Sequence, residues 1–254
     1  QIWDFTGNRG FNNSSFGATQ TISSGSGMNV TLSAWSSTGN GCAVVAGNAG
    51  VNDVDSCIES AALRTWSSGL GVQNRDEGYG VPSHSIDNTN EYIDAHGNVV
   101  NNGNTDIDAD MVLLSFDTAV KVTGFGAGWI WDDFDASVAA YNGANSFTGF
   151  GQNSWANILH QGWDLVSESA KAASSNRDFG VPDTDVYSKH WLIGSFNSAF
   201  SDTSWSDTDD GFKLAGLTAY TKPEDDTGVD VSAPATTGML IAIVAFMGYR
   251  RKNR

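Results

Sequence analysis

Between residues 111 and 141 the chain carries four apolar, strand-like runs at roughly ten-residue spacing. They are Met111-Val112-Leu113-Leu114-Ser115-Phe116, Val120-Lys121-Val122-Thr123-Gly124-Phe125, Gly128-Trp129-Ile130-Trp131 and Ala136-Ser137-Val138-Ala139-Ala140-Tyr141. Asp117-Thr118-Ala119 reads as a tight connection between the first two, and Asn142-Gly143 is a strong turn dipeptide after the last. Short strands so closely spaced point to a β-sandwich or barrel.

The flanking sequence agrees. Ile2-Trp3-Asp4-Phe5 and Asn29-Val30-Thr31-Leu32-Ser33-Ala34-Trp35 alternate apolar and polar residues, the period of a half-buried strand. Trp191-Leu192-Ile193-Gly194-Ser195-Phe196 and the run from Phe212 to Tyr220 supply later strands. Residues 154–174 admit a helix, through Trp155, Ile158, Leu159 and Val166, or a strand through Gly162-Trp163-Asp164-Leu165-Val166; the surrounding pattern favours strand. Residues 73–108 are polar and read as a long irregular loop ordered by a ligand. With only 17% charged residues and 29 glycines, the composition also suits short strands and many turns.

Cys42 and Cys57 are the only cysteines. In an exported protein such a pair is expected as a disulfide, and closing that loop would stabilise the fold by roughly 3 kcal/mol. Two cysteines with no nearby histidine are too few for a zinc site. The chain opens with Gln1, which reads as a mature form whose leader has been removed.

The net charge is −16, and four of the thirteen basic residues are Arg250, Arg251, Lys252 and Arg254, so the remainder is more acidic still. Such a body repels nucleic acid and attracts divalent cations. Three acidic clusters are candidate calcium loops: Asp106/Asp108/Asp110, Asp132/Asp133/Asp135 and Asp207/Asp209/Asp210. Calcium takes six to eight oxygens, often from closely spaced carboxylates. Asp207-Thr208-Asp209-Asp210-Gly211 comes nearest to an EF-hand loop but lacks its distal Glu. The four histidines, His84, His96, His160 and His190, belong to no hydrolase elbow, zincin helix or phosphate loop, so no catalytic residue is expected. Nine tryptophans leave sugar binding open: Trp66, Trp131, Trp155 and Trp205 lie in or beside turns, while Trp3, Trp35, Trp129 and Trp191 lie in strands and read as core.

Residues 221–237, TKPEDDTGVDVSAPATT, form a linker without a core pattern. Residues 238–249, GMLIAIVAFMGY, carry no charge, and RRKNR follows at once. As a helix the uncharged run spans about 18 Å, short of the ~30 Å hydrocarbon core. The basic stop at Arg250, Arg251, Lys252 and Arg254 places the C-terminus in the cytoplasm and the body outside.

A Pro-bearing polar motif, an apolar helix and a terminal Arg-Arg, in that order, resemble the PEP-CTERM class of sorting signals recognised by exosortase. Val231-Ser232-Ala233-Pro234 stands where the class has Pro-Glu-Pro. Within the body, Ser68-Gly69-Leu70-Gly71-Val72, His84-Ser85-Ile86-Asp87-Asn88, the run from Asp110 to Phe116, Gly128-Trp129 with the acidic turn at 132–135, and Asp210-Gly211-Phe212-Lys213-Leu214 are similar to exosortase-dependent surface proteins. The resemblance covers roughly residues 60–254. It implies export, transient anchoring in the inner membrane, processing near residues 232–234 by an exosortase-type enzyme, and delivery to the cell surface or extracellular matrix.

The expectation is therefore an all-β, jelly-roll-like sandwich over residues 1–220, a linker over 221–237, and a hydrophobic helix with its basic stop over 238–254. Its function is that of a non-catalytic surface or matrix protein, adhesive or calcium-stabilised, with Asp132, Asp133, Asp135, Asp207, Asp209 and Asp210 as the candidate calcium ligands. The alternative is a secreted carbohydrate-binding or carbohydrate-active module delivered by the same tail.

Overall fold

The computed structural model describes residues 1–7, 14–39, 57–75, 84–89, 91–93, 99–101, 108–169, 177–182, 184–200, 205 and 209–222. The linker beyond residue 222, the sorting motif, the tail and Cys42 lie outside them. Among the described residues no helix is long and apolar enough to cross a membrane.

The fold is all-β and sandwich-like. In chain order the strands are β1 (Ile2–Asp4), β2 (Gln20–Ser23), β3 (Asn29–Gly39), β4 (Cys57–Ser60), β5 (Ala62–Trp66), β6 (Gly69–Gln73), β7 (Ile86–Asp87), β8 (Glu91–Ile93) and β9 (Val99–Asn101). They continue with β10 (Asp110–Asp132), β11 (Ala136–Tyr141), β12 (Trp163–Ser169), β13 (Asp178–Gly180), β14 (Ser188–Ser195) and β15 (Asp210–Thr221). Apart from the β8–β9 pair they join one antiparallel sheet, whose main path runs β12-β11-β14-β10-β15-β6-β5.

β10 organises this sheet. Its first half lies between β3 and β14, with Leu114 opposite both Leu32 and Trp191. Its second half pairs with β15 from Val120 to Asp132 and, at Gly124 to Gly126, with β13. Three expected strands are thus one continuous element, and the expected tight connection at 117–119 is instead a break in register against β14, between Ser115 and Val120. Further register shifts against β15 fall around Gly124, Ala127 and Trp129, where a glycine-rich stretch lets the strand bulge and bend without leaving the sheet.

The run Met111–Leu114 is apolar at every position because both of its faces are covered. Val112, Leu114 and Phe116 point into the main core with Trp3, Leu32, Leu70, Trp191 and Phe212. Met111 and Leu113 point the other way, into a second cluster with Ile58, Phe150, Trp155, Trp163 and Leu192. A strand buried on both faces loses the polar alternation of a half-exposed one.

That second cluster is capped by a short helix, α1 (Trp155–Ile158), which runs into a 3-10 turn (Leu159–Gln161). The strand reading of 154–174 is therefore corrected over 155–161 and kept from Trp163. Ser154 accepts a hydrogen bond from the Asn157 amide and starts the helix, and Gly162, at φ +93°, ends it. The irregular loop expected over 73–108 is likewise corrected, since it contains β7 and the β8–β9 pair. Cys57 is buried at the start of β4, opposite Gly39.

β7 reaches its place through a close approach. Val72 donates its amide to the Ser85 carbonyl, and a Cβ on Gly71 would overlap the His84 carbonyl. Gly71→Ala must push residues 84–88 off β6. Its expected cost is about 1–3 kcal/mol, as for other overpacked sites. Urea denaturation of the full chain measures it.

Candidate metal centre

β10, β15 and the segment 84–89 meet at one end of the domain. The last residue of β10, Asp132, pairs with the first of β15, Asp210, and β7 lies on the other side of β15, with Asp87 opposite Gly211. Just past β10, Asp133 forms a parallel bridge to Asp210. The Asp133 amide donates to the Asp209 carbonyl, and Gly211 donates back to the Asp133 carbonyl, both at 3.3 Å. Two residues on, Asp135 offers its carbonyl to Phe196 at 2.9 Å. These ladder bonds aim three side chains at one point.

Carboxylate oxygens of Asp133, Asp135 and Asp210 lie within 4.8 Å of one another. Asp210 is wholly buried, Asp135 nearly so, and Asp133 half-buried. Asp210 Oδ1 accepts the Asp135 amide at 2.5 Å, and its Oδ2 accepts the Asn88 side-chain amide at 2.7 Å. Asn88 Oδ1 accepts the Asp210 amide at 3.0 Å, and Asn88 Nδ2 also donates to the Phe196 carbonyl at 3.1 Å. Asn88 is itself fully buried, so it clamps Asp210 on both its backbone and its side chain.

Burial pushes the Asp210 carboxyl up to about 8, and the neighbouring Asp135 and Asp209 charges add to the effect against the Asp135 and Asn88 donors. At an effective dielectric of about 20, two full charges at the 4.8 Å limit of the trio repel by roughly 3–4 kcal/mol. Two remedies exist: a proton on Asp210 or a cation between the three. The donors are all oxygen, the set that suits calcium or magnesium rather than a softer metal.

The structure brings together carboxylates from two of the acidic clusters picked out in the sequence. Asp133 and Asp135 come from one and Asp210 from another. Asp132 is exposed, at φ +31°, and is not one of the three. Asp209 contributes a backbone carbonyl to the frame, and Asp207 lies outside the described residues. Asp87 and Asn88 sit in the polar stretch read as an irregular loop ordered by a ligand, but neither was among the candidate ligands.

The tryptophans divide differently from the sequence reading. Trp155 is buried in the second cluster, with its indole N–H donating to the Ala109 carbonyl at 3.1 Å, so it is core rather than a turn residue open to sugars. Trp66 and Trp129 hold the Lys213 ammonium between them, at 4.3 and 4.2 Å from the ring centroids. Trp205 packs on Phe196.

Comparison of the chain with known protein families, curated proteins and solved structures finds no match.

The sign of the Asp210 shift sets a pH dependence. The folded state keeps this proton up to about 8, while the unfolded chain releases it near 3.8, as an ordinary aspartate does. Between those values the folded state binds more protons, so this group's contribution falls as pH rises and levels off above 8, with a slope of up to about 1.4 kcal/mol per pH unit. Urea denaturation in chelator at pH 5, 6.5 and 8 is expected to show the wild-type chain weakening more steeply than Asp210→Asn.

Proposed function

We propose that this chain is an exported, non-catalytic cell-surface or extracellular-matrix protein, a jelly-roll-like sandwich stabilised by calcium and delivered through an exosortase-type sorting signal. The observation that carries the calcium part is the convergence of the Asp133, Asp135 and Asp210 carboxylates on a backbone held by ladder bonds. An aqueous extracellular setting supplies the ion: weak extracellular calcium modules bind at about 0.1–1 mM. The tail supports delivery through its order alone, with Val231-Ser232-Ala233-Pro234, the uncharged run at 238–249 and the basic stop in sequence. An expected Cys42–Cys57 disulfide fits the same oxidising compartment.

A carbohydrate-binding role is the second reading. It is favoured by a shallow groove of about 300 Å³ whose walls include Tyr141, Asn142, Phe147, Tyr187, Lys189 and His190, aromatic faces beside polar tips. These are not the tryptophans that suggested sugar binding in the sequence.

Two measurements test the first reading. Calcium at about a hundredfold over its Kd should stabilise the wild-type chain by about 2.7 kcal/mol. The Asp133→Asn/Asp135→Asn double variant should lose most of that gain, and an equal gain in the variant refutes the site. Mass spectrometry of extracellular material from the native host should find a C-terminus near residues 232–234. Extracellular chains that still end in Arg254 refute processed sorting.

A further inference from the structure

Asp110, the first residue of β10, stands opposite Ser36 of β3. Both are wholly buried. Asp110 Oδ1, Asp110 Oδ2 and Ser36 Oγ have no hydrogen-bond partner. A buried polar oxygen left in this state is costly, and a charged one more so. Three such oxygens on facing residues of adjacent strands call for a ligand.

The surroundings say which. Burial raises the Asp110 carboxyl well above the ordinary carboxylate range, and the charges of Asp87 and then Asp108 raise it further, while Ser36 and Asn74 lie close enough to oppose them. Asp87 is wholly buried and Asp108 is 7% exposed. Asp87 already accepts from Ser85 on one oxygen and from Thr89 on the other. A proton on Asp110 would remove its charge, but as the side chains stand neither Asp110 oxygen nor the Ser36 hydroxyl beside it has a hydrogen-bond partner. Backbone and side-chain bonds gather the same residues: the Asp108 amide donates to the Thr89 carbonyl at 3.2 Å, and Thr89 Oγ1 donates to Asp87 Oδ1 at 2.8 Å.

We propose that Asp110, with Ser36 and the neighbouring carboxylates of Asp87 and Asp108, holds a second calcium-type divalent cation, separate from the one at Asp133, Asp135 and Asp210. The donors are again carboxylate and hydroxyl oxygens, the set of a hard cation. The two sites meet at consecutive residues: the Asp87 charge acts on Asp110, and Asn88 clamps Asp210. They differ in access. Asp133 is half-buried, whereas Asp110 and Ser36 are fully enclosed, so the second ion enters during folding and leaves slowly. This inference shares with the proposed function the premise that calcium reaches this end of the domain, but not the ligands.

The test counts calcium per folded full-length chain by native mass spectrometry and elemental analysis. The samples are refolded in calcium chloride and desalted, with and without a brief chelator wash. Wild type is expected to hold two ions and to keep one through the wash. Asp133→Asn/Asp135→Asn is expected to hold one, resistant to the wash. Asp110→Asn is expected to hold one, removed by it, and Ser36→Ala to lose the wash-resistant ion faster than wild type. A wild type with one ion that the double variant abolishes overturns the second site, as does an Asp110→Asn chain with two. A wild type with one wash-resistant ion that the double variant retains upholds the second site and refutes the first. If Asp110→Asn fails to fold, the double variant still decides: no wash-resistant ion there overturns the proposal.

Discussion

The structure depends on one strand that is hydrogen-bonded along both edges and, over Met111–Leu114, covered on both faces. β10 pairs with β3 and β14 in its first half and with β15 and β13 in its second. Val112 and Leu114 build one core, and Met111 and Leu113 the other. A strand so enclosed cannot slip by one residue, because each slip would swap the two sets of side chains between cavities of different shape. Its register therefore sets that of its neighbours. It also brings its own ends together: Asp110 at the start feels the charge of Asp87, and Asp132 at the finish pairs with Asp210, one residue from the partner of Asp87.

This geometry explains why carboxylates are buried in a chain that has ample surface for them. Asp110 and Asp210 begin central strands, and Asp133 and Asp135 follow one. Their backbones are committed to ladder bonds, so their side chains go where the sheet sends them. The net charge of −16 makes this worse, since every other acidic group raises the cost of a buried negative charge. Lys213, the cation that feels Asp87, is itself desolvated between Trp66 and Trp129, and this lowers its pKa. It is held by the rings and is not free to swing into the carboxylate cluster.

The all-β class was legible because its signal is local. The alternation at Asn29–Trp35 and the apolar runs after Met111 report strands without knowledge of their partners. The continuity of β10 was not, because whether Asp117-Thr118-Ala119 turns or merely shifts register depends on β14 and β15, which lie far along the chain. The helix at Trp155–Ile158 was half-legible: Ser154 is a good cap, but the four-residue helix is too short for a period to emerge. The site was legible as charge and not as geometry. Clusters of Asp marked two of the three places that matter, yet adjacency in sequence suggested Asp132 with Asp133, whereas a parallel bridge joins Asp133 to Asp210 instead. Asn88 stood only within a motif of the resemblance and not as part of a site, because a side chain that clamps another residue's backbone is visible only once the two strands are paired.

That last point bears on what calcium would do here. Asp87 and Asn88 lie in a polar stretch with few apolar anchors, and such a segment cannot order itself by burial alone. It is held by a glycine contact at Gly71, by the pairing of Ile86 and Asp87 with β15 and by the Asn88 clamp. Each of these acts next to a carboxylate whose charge must be cancelled. A cation at either site would therefore stabilise the segment as well as its own ligands, coupling the order of one end of the sandwich to the ion content of the medium. In a protein delivered outside the cell, as proposed, that coupling would make the folded domain firmest where calcium is plentiful.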